Sequence, residues 1–135
     1  MVGVFKKRVE KNLVIFSFFT IWVALTSCGG PTPVKTPETP FRTYNSPFDQ
    51  VYDASVKAFQ NLGLDLFKQQ KDQGYVEGGR TAGIGRGSEY VGIFLEQIGP
   101  SETKVSIDNR KALVGIVFAV DWTDQLFEQI EQELK

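Results

Sequence analysis

The chain of 135 residues contains no histidine and a single cysteine, Cys28. Without histidine there is no Ser-His-Asp or Cys-His pair, no imidazole general base and no histidine-ligated metal. One cysteine excludes an internal disulfide, a thiolate zinc site and a Cys-x-x-Cys redox pair. An excess of positive charge is also missing. Fifteen Lys and Arg stand against 16 Asp and Glu, a net charge of −1, which gives no footprint for nucleic acid. No internal repeat is visible, and the length suits one domain of modest size. What remains is an ordinary globular composition, 41% hydrophobic and 23% charged. Anchoring and binding are easier to build from it than catalysis. No catalytic residue, metal ligand or cofactor site is expected.

The first of three unlike segments is 1–27. Lys6, Lys7, Arg8 and Lys11 make a basic start, opposed only by Glu10. An uncharged apolar run follows from Leu13 to Thr26, broken only by small hydroxyl residues. This is the order of a secretory signal. As a helix the run spans only about 21 Å, short of the ~30 Å of a hydrocarbon core. Gly29, Gly30, Pro31 and Pro33 stop any extension.

Leu25-Thr26-Ser27-Cys28 resembles the bacterial lipobox, in which an apolar residue and two small ones precede a cysteine. Several consequences are implied by the resemblance. The Cys28 sulfur takes a diacylglycerol, a peptidase cuts before it, and the freed amine receives a fatty acyl chain such as palmitate. One acyl chain holds a membrane marginally, while two or three hold firmly. The implied partner is therefore the lipid bilayer, in the bacterial cell envelope. In Gram-negative lipoproteins an aspartate after the cysteine tends to retain the protein in the inner membrane. Gly29 stands there, which favours the outer membrane, facing the periplasm. Cleavage leaves 11 basic against 15 acidic side chains from Cys28 onward.

The second segment, 28–45, holds Pro31, Pro33, Pro37 and Pro40 among Thr, Gly and Lys. Proline removes backbone donors and biases its predecessor to extended conformations. The reading is a semi-extended tether, without helix or sheet, reaching up to about 50 Å at ~3.1 Å per residue. Pro37-Glu38-Thr39-Pro40 has PxxP spacing, common in spacers. Phe41 and Tyr44 mark where the chain begins to touch the domain.

The third segment, 46–135, is the globular domain. Ser46, Pro47 and Asp49 have the spacing of a capped helix start. Apolar residues at three- and four-residue steps then predict a helix over 47–62, closed by Gly63. Short strands are predicted around 64–69, from Tyr75, over 89–98 and over 103–110, where Val105 and Ile107 alternate with polar residues. The segment 112–120 reads either as a strand or as the lead into a last helix. That helix is expected to be capped by Asp121, with Trp122, Leu126, Phe127, Ile130 and Leu134 on its apolar side. The expected fold is α+β: a two-layer sandwich with an antiparallel meander of about four strands and both helices on one face. The Ser46-to-Tyr52 opening, the Leu62-Gly63-Leu64 corner, Gly74 and the closing Asp121-Trp122 resemble small domains of envelope lipoproteins. They are more distantly similar to the helix-grip domains of accessory lipoprotein C of the β-barrel assembly machinery. No catalytic set comes with that likeness, and function transfers weakly on fold alone.

The glycine-rich stretch 78–88 lacks the lysine of a Walker loop and the helix that a dinucleotide fingerprint needs. It reads as a hairpin tip carrying Arg80 and Arg86, a candidate loop for an anionic partner. Glu77 and Glu89 flank that tip. As a facing pair they would suit glycoside cleavage, although nothing else supports it. Trp122 is expected in the core. The sheet face bearing Lys104, Ser106, Asp108 and Arg110 is expected to meet solvent. The expected role is a non-catalytic accessory or scaffold protein for an envelope protein partner. The alternative is a binding module for an anionic envelope ligand or lipid, with a cell-wall hydrolase third.

Overall fold

Val51, Tyr52, Ser55, Ala58 and Phe59 fall on one side of a 3.6-residue period. They are the residues that helix α1 (Phe48–Asn61) buries. In the computed structural model, which describes residues 31–84, 87–111 and 120–135, α1 follows strand β1 (Phe41–Tyr44). Strands β2 (Asp65–Gln70), β3 (Tyr75–Arg80), β4 (Glu89–Gly99) and β5 (Glu102–Lys111) come next, then helix α2 (Thr123–Glu133). The sheet order is β1-β5-β4-β3-β2, antiparallel throughout.

The register fixes which side chains share a face. Val76 pairs with Ile93, Ile93 with Ile107, and Leu95 with Val105. These positions point inward and are almost fully buried. They meet Phe59 of α1 and Leu126 and Ile130 of α2, each with no exposed surface. Burying one such side chain contributes roughly 1.5–3 kcal/mol. Gly78 belongs to this face because the Phe59 ring needs the space: a Cβ there would come within 2.8 Å of Phe59 Cδ1. Tyr44 closes the β1 side of the core, and its hydroxyl donates to the Phe127 carbonyl at 3.1 Å. Asn61 Nδ2 donates to Glu133 Oε1 at 2.9 Å, joining the end of α1 to the end of α2.

The expected α+β sandwich is present, with five strands rather than about four. The additional one is β1. It lies inside 28–45, the segment expected to be a semi-extended tether forming neither helix nor sheet, so the folded part begins before residue 46. Proline explains where pairing can start. The chain pairs with β5 only from Phe41, the first residue after Pro40 that has a run of backbone donors.

Two details of the ends also differ from expectation. The Ser46–Asp49 capping box does not form, because Pro47 occupies the N-cap and makes no side-chain cap. The Ser46 carbonyl instead accepts from the buried Thr103 hydroxyl at 3.0 Å. Trp122 occupies the N-cap of α2, and Asp121 Oδ1 accepts from the first helical N–H, that of Thr123, at 3.0 Å. Gly63 does end the first helix, with φ +67° in the left-handed region. Most of the segment whose state was left open, 112–119, lies outside the described residues.

Candidate functional site

The outer sheet face is the one turned away from the helices. It carries Tyr75, Glu77, Tyr90, Gly92, Phe94, Glu96, Lys104, Ser106, Asp108 and Arg110. Tyr75 and Phe94 pack at 5.0 Å between ring centroids, and Phe67 and Tyr90 at 5.9 Å. Glu77 Oε2 accepts from the Tyr75 hydroxyl at 2.7 Å. Burial first, and then this bond to a carboxylate, holds the Tyr75 phenol well above its usual range.

Residues 33–40 lie across this face. Pro33 occupies the gap left by Gly92, where a Cβ would come within 2.5 Å of the Pro33 Cβ. The Val34 N–H donates to Asp108 Oδ2 at 2.7 Å, and Arg110 Nε reaches the same oxygen at 2.6 Å. Lys35 Nζ donates to Glu96 Oε2 at 2.9 Å. That bond and the lysine charge lower the Glu96 pKa from its ordinary value. Thr36 and Thr39 close a turn through the Thr39 hydroxyl, and Ile107 N–H reaches the Pro40 carbonyl at 3.0 Å. The face expected to meet solvent is thus covered in part by the chain's own proline-rich segment. We call it the strap.

A second cluster sits on the inner face where α2 begins. Glu89, 4% exposed, accepts from Trp122 Nε1 at 2.7 Å and from the Val120 N–H at 3.0 Å. The Arg80 guanidinium lies 4.6 Å from the centroid of the Trp122 ring. Trp122 is buried, as expected from its place in the helix. A buried carboxylate must be hydrogen-bonded, and both bonds of Glu89 go to the entrance of α2. Its geometry is that of a latch.

The sequence-predicted residues now have places. Arg80 ends β3 and packs on Trp122, rather than standing on a free loop. Its proposed partner Arg86 lies outside the described residues, as do Leu25, Thr26, Ser27 and Cys28. Glu77 and Glu89 are not a pair. Glu77 is opposite Gly92 and Arg80 is opposite Glu89, which puts the two carboxylates on opposite faces of the sheet. The glycoside-cleavage arrangement is therefore absent. Among the described residues no group of three or more Cys, Asp and Glu is placed to hold a metal. Gly92 was the residue to read for the strap, since a glycine inside a strand often marks close approach of another backbone.

No family model and no curated protein matches the chain. Among solved structures it is similar to a chain of the adenylate sensor from AMP-activated protein kinase, crystallised with 5-aminoimidazole-4-carboxamide 1-β-D-ribofuranotide. The TM-score is 0.51 at 12% identity, over 67% of this chain and 94% of that one. At that identity the likeness concerns the fold.

Proposed function

We propose that this protein is a lipid-anchored bacterial envelope protein, a non-catalytic accessory that presents its α+β domain to a protein partner. The observation that carries the reading is the lipobox-like Leu25-Thr26-Ser27-Cys28, placed after a basic start and an apolar run and directly before the strap. Acylated Cys28 holds the bilayer with two or more chains, enough for stable attachment. A surface for the partner is available at β2, which pairs only with β3 among the described residues. Such an edge offers a row of backbone groups for strand addition. Phe67 on this strand is 40% exposed beside Tyr90 and supplies an apolar contact for an added strand.

The anchor is tested by Cys28→Ala in the producing bacterium. Metabolic acyl labelling should vanish and the uncleaved precursor should accumulate. Normal processing and labelling of that variant would refute the reading. In vivo crosslinking from Phe67 should then capture a defined envelope protein, and a crosslink pattern no different from that of an exposed α2 position would remove β2 as the docking edge.

A further inference from the structure

The turn of the strap leaves an open cleft of about 320 Å³ between itself and the start of β1. Lys35, Thr36 and Pro37 form one wall, and Phe41, Lys104 and Ser106 form the other. Most polar groups around it already have partners. Thr39 Oγ1 accepts from the Thr36 N–H at 2.8 Å, and Lys35 is bonded to Glu96. Arg110 holds Asp108. Glu102, the next acid on this face of β5, keeps its carboxylate by Gly99, where a Cβ would stand 3.7 Å from Glu102 Oε2. Glu38, in the turn, is exposed and does not line the cleft.

Two groups lack such partners. Ser106 is 2% exposed, yet its hydroxyl makes no hydrogen bond among the described residues and opens on the cleft. Lys104 Nζ lies 4.2 Å from the centroid of the Phe41 ring and makes no ion pair among the described residues. A buried donor left unmatched costs stability, and a hydroxyl beside an ammonium is the complement of an oxyanion. Lys35 and Glu96 cancel, so Lys104 leaves the cleft with a single unmatched positive charge. That suits a carboxylate better than the double charge of a phosphate. Phe41, 56% exposed, and Pro37 offer an apolar contact next to it.

The cleft adjoins an open sheet edge. Strand β1 ends the sheet and pairs only with β5 among the described residues. The Ile107 N–H reaches the Pro40 carbonyl, so Pro40, Arg42 and Tyr44 turn their backbone groups to β5, and Phe41 and Thr43 turn theirs outward. An antiparallel strand added there, in keeping with the rest of the sheet, ends beside Phe41, where β1 begins. We propose that the cleft binds the C-terminal carboxylate of an extended peptide with an apolar last residue, which adds to β1 as a further strand. Lys104 and Ser106 donate to the carboxylate, the Phe41 ring packs on the last side chain, and the outward backbone groups of Phe41 and Thr43 pair with the peptide. This goes beyond the anchored accessory and does not depend on acylation of Cys28.

The test uses the full chain in detergent and a fluorescein-labelled pool of hexapeptides, random except for a final leucine. One pool ends in a free carboxylate and its twin in an amide. In fluorescence polarisation the acid pool should bind about tenfold tighter than the amide pool. Lys104→Met should abolish that preference, and Ser106→Ala should weaken the acid pool about fivefold, with circular dichroism showing that both variants fold. Free N-acetyl-leucine should compete only at concentrations well above those of the unlabelled acid pool. Equal binding of acid and amide, or an unchanged preference in Lys104→Met, overturns the carboxylate site. N-acetyl-leucine competing as well as the acid pool overturns the added strand, and inorganic phosphate competing better than acetate overturns the choice of anion. Attachment to a bilayer plays no part in detergent, so failure here leaves the anchor standing, and failure of the anchor leaves this site standing.

Discussion

Removing the Glu89 carboxylate should loosen the whole C-terminal helix. Its two oxygens accept from Trp122 Nε1 and from Val120 N–H at 2.7 and 3.0 Å. Hydrogen bonds to a charged group contribute about 1.5–3 kcal/mol each, which gives roughly 3–6 kcal/mol gross for two such bonds. Part of this is offset, because truncation also relieves the desolvation of a buried charge. The net loss for Glu89→Ala should be about 2–4 kcal/mol. Glu89→Gln keeps the shape and one acceptor but turns an amide donor toward the other N–H. It should lose about half as much. In the chain from Cys28 onward Trp122 is the lone tryptophan, so its fluorescence during urea unfolding reads the site directly. With an m-value of about 1–2 kcal/mol/M for a small domain, the Glu89→Ala midpoint should fall by about 2 M. Both variants unfolding within about 0.5 kcal/mol of the parent, a spread typical of surface substitutions, would refute the latch.

Two other perturbations probe the core beside it. Tyr44, whose pKa burial pushes up to about 12 from 10.0, keeps its proton in the folded state after the unfolded chain has lost it. Its contribution is complete below pH 10 and drains away as pH rises toward 12, so alkaline unfolding followed by circular dichroism should steepen in that window and flatten in Tyr44→Phe. Phe59→Ala empties the space between α1 and Gly78 and should cost about 3–5 kcal/mol in denaturant unfolding. A smaller loss would mean that the helix settles onto the sheet.

Much of the fold was legible because its signals are local. Helix α1 has its period and Gly63, β5 alternates, and the turn glycines stand where chain reversal needs them. The ends were less legible. Ser46 and Asp49 carry the letters of a capping box, but tertiary packing claims the Ser46 carbonyl for Thr103. The facing-carboxylate idea failed on parity. Positions 77 and 80 are an odd number of residues apart, and Glu89 pairs with Arg80, so strand alternation sends Glu77 and Glu89 to opposite faces. Only the register decides this, and no local pattern in the glycine-rich tip specifies it. Glu89 itself was misread as a hairpin-tip acid because its partners, Val120 and Trp122, are more than thirty positions away.

The strap exposes a more general error in reading proline. Proline forbids ladder pairing because it has no N–H to give. It does not forbid packing, since an extended segment with few donors can lie across a sheet face without leaving many of them unsatisfied. The requirement on the sheet is a place where the segment can sink in. Gly92 provides it in the middle of β4, between the aromatic pair on one side and Asp108 on the other, and Pro33 fills it. Lys35 and Val34 then find acceptors at Glu96 and Asp108. A glycine costs a strand roughly 0.5–1 kcal/mol, which is a stability loss that a solvent-facing position gives no reason to carry. The same glycine under a strap has a reason, because it is the place where Pro33 seats against β4.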